Sequence, residues 1–600
     1  MGNSPDSTHR IAVLDQELCQ PKKCGLECIK YCPVNKSGAD CIILNEEIAK
    51  AQIDENICNG CGICVKVCPF DAITIVNLAE ELKSDKIHQY GINAFRVYRI
   101  PTLKAGQVMG LLGRNGIGKS TIVNILSGNL KPNLGNYSAP PEWDEILKYF
   151  HGTELKSHFE KITNKELRAS IKPQQVYNLT KVFDGTAKEL LEKYDERNKS
   201  HELVQELGLQ NSLETKLTDL SGGELQRIAV AVAASREADF YFFDEPSSYN
   251  DVFQRIGVAR VIQGLAKLGK SVMVVEHDLT LLDYLSDFIE ILYGEAAVYG
   301  IVANVLSTKV GINVFLDGYL PNENVRFRDT AFRFDASTST DEFVTTENII
   351  EYPALEKKYS TFSVSIEAGK VRKSEVLGIV GANALGKTTM MKMIAGVEKP
   401  DSGTIKSKVK IAYKPQYLSN DYDVEVISLL EKANSGGIEG TAEEEQIIHP
   451  MKIKKLYNKS VKNLSGGELQ KVAIATCLLQ KVDLYALDEP SAFLDVEDRI
   501  AIAKMIQRFV RSYGKSALII DHDIQLMDLI SDSLVIFEGV PGREGHATAP
   551  KPKVDGMNRF LRSLEITYRR DETSMRPRVN KSDSRLDREQ KQSGHFYYRN

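Results

Sequence analysis

Two runs in this 600-residue chain set a lysine and hydroxyls among small residues at the spacing that cradles phosphate. They are Gly113-Arg114-Asn115-Gly116-Ile117-Gly118-Lys119-Ser120-Thr121 and Gly381-Ala382-Asn383-Ala384-Leu385-Gly386-Lys387-Thr388-Thr389. Glycines let backbone N–H groups converge on phosphate oxygens, the N-terminus of a following helix adds its positive end, and Lys119 or Lys387 reaches the outer phosphates. Ser120 and Thr388 are expected to hold magnesium, and Ala384, standing where the first run has Gly116, to tighten the second loop. Farther on, Leu220-Ser221-Gly222-Gly223-Glu224 and Leu464-Ser465-Gly466-Gly467-Glu468 each open an apolar helix and offer a second phosphate site. Apolar strands then end in Asp244-Glu245 and Asp488-Glu489, where an Asp can sit in a magnesium shell and the next Glu can polarise water. His277 and His522 close one further strand in each half.

The register of these pieces is held twice. Signature serine to strand-end Asp is 23 residues in both halves, and that Asp to the His is 33 in one and 34 in the other. Two homologous α/β lobes follow, each with a strand, loop and helix at its phosphate site. Lys119 to Gln174 spans 55 residues but Lys387 to Gln416 only 29, so the first lobe carries about 26 more, placed at about 136–170. Trp143, Ile146, Leu147, Phe150, Leu155, Phe159 and Ile162 fall there at helical spacing, which predicts a helix, a break at Gly152 and a second helix. Such a hairpin either packs on its own lobe or serves as a binding appendage.

Nine of the ten cysteines lie between Cys19 and Cys68. Cys58-x2-Cys61-x2-Cys64-x3-Cys68-Pro69 is the spacing of a bacterial ferredoxin, whose fourth thiolate serves a second cluster, and Cys19-x4-Cys24-x3-Cys28-x3-Cys32-Pro33 repeats the layout more loosely. Two [4Fe-4S] clusters are therefore expected, one on Cys58, Cys61, Cys64 and Cys32, the other on Cys19, Cys24, Cys28 and Cys68. Cys41 is either spare or displaces Cys19. Zinc fits less well, because structural zinc sites use two separated pairs. Cys477, in an apolar helical stretch, reads as an inert core thiol. The clusters are expected to act as a staple for a domain with little core of its own.

Composition bounds the rest. With 42% apolar and 26% charged residues the chain has material for large cores, and its net charge of −5 gives no overall attraction to nucleic acid. No run is long and apolar enough to be a membrane helix or secretion signal, so the expectation is a soluble protein of the cytoplasm, with the nucleus as a second location and no membrane partner.

The twin motif sets resemble the ATP-binding-cassette family. That resemblance makes Gln174 and Gln416 the residues that touch magnesium and water, and His277 and His522 the switch histidines. It also sandwiches each nucleotide between lobes, Lys119 with Ser465 and Lys387 with Ser221. An iron–sulfur head, twin cassettes without a transmembrane half, and an insertion in the first cassette together resemble the ABC-E proteins, the ribosome-recycling ATPases also called RNase L inhibitors. The match includes Gly311-Ile312-Asn313-Val314-Phe315-Leu316-Asp317-Gly318-Tyr319 with Arg326-Phe327-Arg328, similar to the family's hinge, and the tail Leu564 to Asp571 with Arg576 to Lys581.

The expected fold is thus α/β, with a ferredoxin-like head (1–75), a first nucleotide-binding domain (76–308), a hinge (309–335), a second nucleotide-binding domain (336–545) and a basic tail (546–600). Tyr90 and Phe95 fit the family's adenine-stacking aromatics, with core packing a rival for Phe95. The tail's excess of basic residues suits either rRNA contact or docking between lobes. Asn250 departs from the leucine usual after Asp-Glu. The resemblance implies two Mg-ATP sites with Glu245 and Glu489 as bases, and closure of the lobes that swings the head to split ribosomes. The implied partners are the small subunit and its rRNA, a release factor or its stalled-ribosome relative, and initiation factors. A translation ATPase of the ABC-F type would lack the cysteine module, and a scaffold inhibiting an RNase would need neither glutamate.

Overall fold

The computed structural model describes residues 8–16, 18–46, 48–55, 57–79, 85–334, 347–405, 409–416, 418–419, 423–580 and 584–598. The boundary expected at 335/336 lies outside them. In the head, β1 (Thr8–Leu14) and a later strand (Ile73–Ala79) pair antiparallel, and two five-residue helices, α1 (Glu27–Tyr31) and α2 (Ile63–Val67), carry Cys28 and Cys64. Cys32 and Cys68 leave those helices in extended conformation because each precedes a proline, which disfavours a helical residue before it.

The first lobe is built on a nine-stranded sheet. Its strands are β2 (Lys86–Gln89), β3 (Arg96–Tyr98), β4 (Val108–Gly113), β5 (Ala169–Lys172), β6 (Phe240–Asp244), β7 (Ser271–Val275), β8 (Phe288–Glu295) and β9 (Tyr299–Val302), in spatial order β2-β3-β9-β8-β4-β7-β6-β5, with a short strand at Leu306–Ser307 beside β8. The inner strands are parallel, covered on both faces and mostly apolar, and β4 is buried at all six positions. Helix α3 (Lys119–Leu126) leaves the P-loop. The insertion forms α4 (Trp143–Tyr149) and α5 (Glu154–Thr163), parted at Gly152, whose φ of +83° favours glycine. Ile146, Phe150, Leu155 and Phe159 share a core with Ile122 and Leu126 of α3, and His158 bonds the Leu126 carbonyl at 2.6 Å, so the hairpin's apolar side packs on its own lobe. Helices α6 (Gly222–Ser235), α7 (Val252–Lys267), α8 (Leu279–Leu285) and α9 (Thr308–Asp317) complete the lobe.

The second lobe repeats this order. Its strands β10 (Leu355–Lys358), β11 (Ser363–Ile366), β12 (Val376–Gly381), β13 (Ile411–Lys414), β14 (Leu484–Asp488), β15 (Ser516–Ile520), β16 (Ser533–Val540) and β17 (Glu544–Ala547) run β10-β11-β17-β16-β12-β15-β14-β13. Helices α10 (Lys387–Ile394), α11 (Gly466–Leu478), α12 (Val496–Tyr513), α13 (Ile524–Ile530) and α14 (Lys553–Ser563) correspond to α3, α6, α7, α8 and α9. The repeat reaches into the segment expected as hinge, since α9 and α14 lie on β8 and β16 through Gly311 and Gly556, where a Cβ would meet Ile289 or Leu534 at 3.0 Å or less. Among the described residues no helix is long and apolar enough to cross a membrane.

Candidate functional site

Each P-loop curls around its own lysine. Lys119 Nζ donates to the Gly113 carbonyl at 2.8 Å and to Asn115 Oδ1 at 3.3 Å, and Lys387 Nζ to the Gly381 and Ala382 carbonyls at 2.9 and 2.6 Å. Burial lowers both lysines, Lys387 to about 8, against the pull of nearby carboxylates. Gly118 and Gly386 start the helices at φ near +100°, and a Cβ on Gly118 would lie 2.7 Å from the Phe95 ring. Phe95 therefore both packs on the core and faces the loop. Tyr90 bonds Thr121 Oγ1 at 3.2 Å. In the second lobe Phe362 covers Gly386 and Tyr359 bonds Thr389, an equivalent pair that the unlike intervening residues hide in the sequence.

The strand-end acids converge with the glutamines and histidines. Gln174 Nε2 donates to Glu245 Oε1 at 2.7 Å and His277 Nε2 lies 3.4 Å from that oxygen; Gln416 and His522 stand at 2.7 and 3.5 Å from Glu489 Oε1. Burial alone would raise Glu245, but the bond and charge of His277, then Lys119, outweigh it and hold it down to about 2. Burial, then the adjacent glutamate, pushes Asp244 and Asp488 up to about 6. Thr388 Oγ1 bonds Asp488 at 2.9 Å, which puts a hydroxyl and a carboxylate together where magnesium binds in such loops.

The lobes complete one another. A cavity of 850 Å³ is lined from the first lobe by Phe95, Lys119, Ser120, Gln174 and Glu245, and from the second by Ser465, Gly466 and Gly467. Ser465 and Ser221 cap their helices in reciprocal boxes with Glu468 and Glu224, so these glutamates fix the helix ends, of which the one at Ser465 lines the cavity. The glycines are needed for close approach: a Cβ on Gly223 or Gly467 would stand 2.8 or 2.9 Å from the Tyr249 or Phe493 carbonyl. Two residues not singled out by sequence reasoning join the P-loops across the divide. Asp495 accepts from Asn115 N at 3.4 Å, and Asp251 from Asn383 N at 2.9 Å. The repeat Pro-Ser-x-x-x-Asp after each Asp-Glu was the available signal.

The cysteines form two groups. Cys19, Cys24, Cys28 and Cys68 line one small cavity, and Cys64 neighbours Cys58, Cys61 and Cys32. Cys41 is buried and hydrogen-bonds with Cys32 and Cys58, so it stands in the group away from Cys19. Burial, then crowding by the other thiols, pushes Cys64 up to about 12 and Cys28 to about 11. Thiols so crowded suit a group that draws them out as thiolates, and both sets fit iron–sulfur ligation. The head docks beside the first nucleotide site. Asn93, between Tyr90 and Phe95, bonds the backbone of Ala12 and Leu14 at 3.0 and 2.9 Å, and the buried Arg96 pairs bidentately with Glu55.

Comparison with known proteins accords with this layout. Family models match as ABC transporter over 101–248 and 367–492, as possible Fer4-like domain in RNase L inhibitor over 9–40, and as 4Fe-4S binding domain over 51–74. "Translation initiation factor RLI1" of Saccharomyces cerevisiae is 44% identical over 99% of both chains, and "ABC transporter E family member 1" of Arabidopsis thaliana 43% over 99% of both. The chain belongs to the ABC-E family. A solved structure described as a model of ribosome-bound archaeal Pelota and ABCE1 matches this ABC-E chain at a TM-score of 0.95 and 50% identity, covering 99% of this chain and all of that one. A second, of archaeal ribosomal stalk protein aP1 with ribosome recycling factor aABCE1, matches at 0.81 and 48%, covering 87% and 100%. As an ABC-E protein the chain is an ATPase with an iron–sulfur domain.

Proposed function

We propose that this protein splits ribosomes into subunits after termination or stalling, driven by nucleotide-dependent closure of its two lobes. The composite cavity carries the reading: a nucleotide on Lys119 gains contacts from Ser465, Gly466 and Gly467 only when the lobes meet, so its binding energy favours the closed state. The loop that holds Phe95 against the P-loop also anchors the head through Asn93 and Arg96, which ties closure to movement of the iron–sulfur domain. Its parts are the head 1–75, the domains 76–308 and 336–545, the hinge 309–335 and the tail 546–600, with the first helices of the hinge and tail, α9 and α14, packing on the lobes before them.

Glu245 and Glu489 act as bases for the attacking water, with His277 and His522 near the γ-phosphate. Ser120, Gln174 and Asp244 at one site, and Thr388, Gln416 and Asp488 at the other, hold magnesium, which when bound neutralises phosphate charge. Tyr90 and Phe95 stack on the adenine of the first nucleotide. Cys19, Cys24, Cys28 and Cys68 hold one [4Fe-4S] cluster and Cys32, Cys58, Cys61 and Cys64 the other, with Cys41 spare; the clusters supply rigidity to a head that has little core.

The work is cytoplasmic, and the partners are the small subunit and its rRNA, a release factor or a Pelota-like relative, and initiation factors on the freed subunit. Relatives are described as bound to ribosomes with Pelota, in complex with a stalk protein, and as initiation factors. Ribosome sedimentation tests this. Ribosomes with release factor, ATP and the purified holoprotein should dissociate, and intact particles would refute it.

A further inference from the structure

Two lysines outside the motifs occupy the same place in each lobe. Lys172 ends β5 and Lys414 ends β13, two residues before Gln174 and Gln416, and they are 0% and 2% exposed. Each ammonium goes to a pair of consecutive backbone carbonyls. Lys172 Nζ donates to the Asp244 and Glu245 oxygens at 2.6 and 3.1 Å, and Lys414 Nζ to those of Asp488 and Glu489 at 2.7 and 3.2 Å. Gln226 and Gln470, from the signature helices, add a bond of 2.6 Å to each glutamate carbonyl. Both glutamates have left-handed backbones, φ +45° and +47°, a conformation that L side chains adopt only when their surroundings enforce it.

Carbonyl dipoles of successive residues turned to one side repel each other unless a donor lies between them. An apolar residue would leave the Asp carbonyl buried and unpaired, whereas a charged donor also offsets the two adjoining acids. The enforced backbone is what aims each glutamate at its glutamine and histidine.

We propose that Lys172 and Lys414 are positioning residues for ATP hydrolysis, each clamping the carbonyls of its Asp-Glu pair so that the glutamate side chain points at the attacking water. The proposal rests on Glu245 and Glu489 being the bases. The same clamp joins the end of the glutamine's strand to the acids, so the two move as one piece.

The full-length holoprotein carrying K172M and K414M together tests it, since Met matches the stem but has no N–H. Turnover should fall ~100-fold, the loss expected of an ångström-scale misplacement, with the ATP KM within about 2-fold because phosphate binding is intact. Added to E245Q and E489Q, the lysine changes should cause no further loss, because they act through the glutamates. K172Q and K414Q, which keep a donor, should recover part of the rate. Unchanged turnover in folded K172M/K414M, or losses that multiply with the glutamate changes, would overturn the assignment. So would unfolding of both the Met and Gln pairs, which would make the lysines structural only. Full turnover in E245Q/E489Q alone would instead remove the base reading beneath it.

Discussion

The two lobes share a sheet order and every nucleotide motif, yet the shells around their sites differ in charge. On the first P-loop Arg114 Nε lies 3.5 Å from Glu497 of the opposite lobe, which also pairs with Arg328 at 3.0 Å. At the matching places of the other junction stand Ala382 and Phe253, an apolar pair. Only the first lobe carries the head. Behind the second site Asp521 accepts from Ser491 Oγ at 2.8 Å, whereas the longer Glu276 turns back to the His277 and Asp278 N–H groups and leaves Oε2 buried without a partner. Duplicated machinery with unlike surroundings implies two sites that share chemistry and differ in how firmly they close.

The largest expected effect tests the shared part. With Glu245 and Glu489 as the proposed bases, E245Q and E489Q should each lower hydrolysis at their own site ~10²–10⁴-fold while nucleotide still binds. Single-turnover assays should give unequal residual rates for the two variants. Equal rates would break the comparison at its centre.

The tail provides the next test, because it grips both lobes at equivalent residues. Asp283 of α8 takes Arg578 at 2.7 and 2.8 Å and Arg576 at 3.2 Å, while Asp528 of α13 takes the Tyr597 and Tyr598 hydroxyls. Asn313 and Asn558, in the matching Gly-x-Asn-x-Phe-Leu runs, hold Asp571 and the backbone of Phe596. D283A removes the carboxylate shared by two buried guanidinium groups, leaving Arg578 with Asp571 at 3.4 Å and Arg576 with Asn313 at 3.3 Å, and breaking such a buried pair typically costs ~3–5 kcal/mol. D528A leaves the Tyr597 and Tyr598 hydroxyls only each other, 3.1 Å apart, and should lose about 1–3 kcal/mol. Thermal melting of the two variants orders them, and a D528A loss at or above that of D283A would reject the charge argument.

These tail contacts mark where sequence reading stopped. Motifs whose spacing is local were legible: P-loops, signature serines, strand-end acids and Cys-Pro runs each need only a short backbone geometry. The paired insertion helices were legible too, since their apolar spacing reports a buried face. Contacts between lobes were not. Asp251, Asp495 and Glu497 act on residues well over a hundred positions away, and nothing in their neighbours says which face the other lobe meets. A count of basic residues in the tail likewise left rRNA contact and docking open, and burial places Arg576 and Arg578 in the docking role.

A smaller effect separates the loops after the acids. Asn250 is fully buried with Oδ1 unpartnered, whereas Leu494 fills the equivalent place. An unpaired buried amide oxygen costs about 1–3 kcal/mol, so N250L should raise the melting temperature and bring the first loop closer to the second. A lowered melting temperature would show that the amide is held by something the second lobe lacks.

The smallest effect concerns the charged grip itself. Arg114 is partly open to water, and an exposed pair is worth about 0.2–1 kcal/mol after side-chain ordering and screening. R114A should therefore weaken nucleotide retention at the first site by only a few-fold, measured as the off-rate of a fluorescent ATP analogue, and leave the second site unchanged. The sign of its salt dependence is the sharper reading. In the parent protein the first-site off-rate should rise between about 0.05 and 0.5 M salt as Arg114–Glu497 is screened, and in R114A that added sensitivity should vanish. The second junction, with Ala382 and Phe253 in those places, is the built-in reference: equal salt sensitivity at both junctions of the parent would mean that charge does not distinguish them.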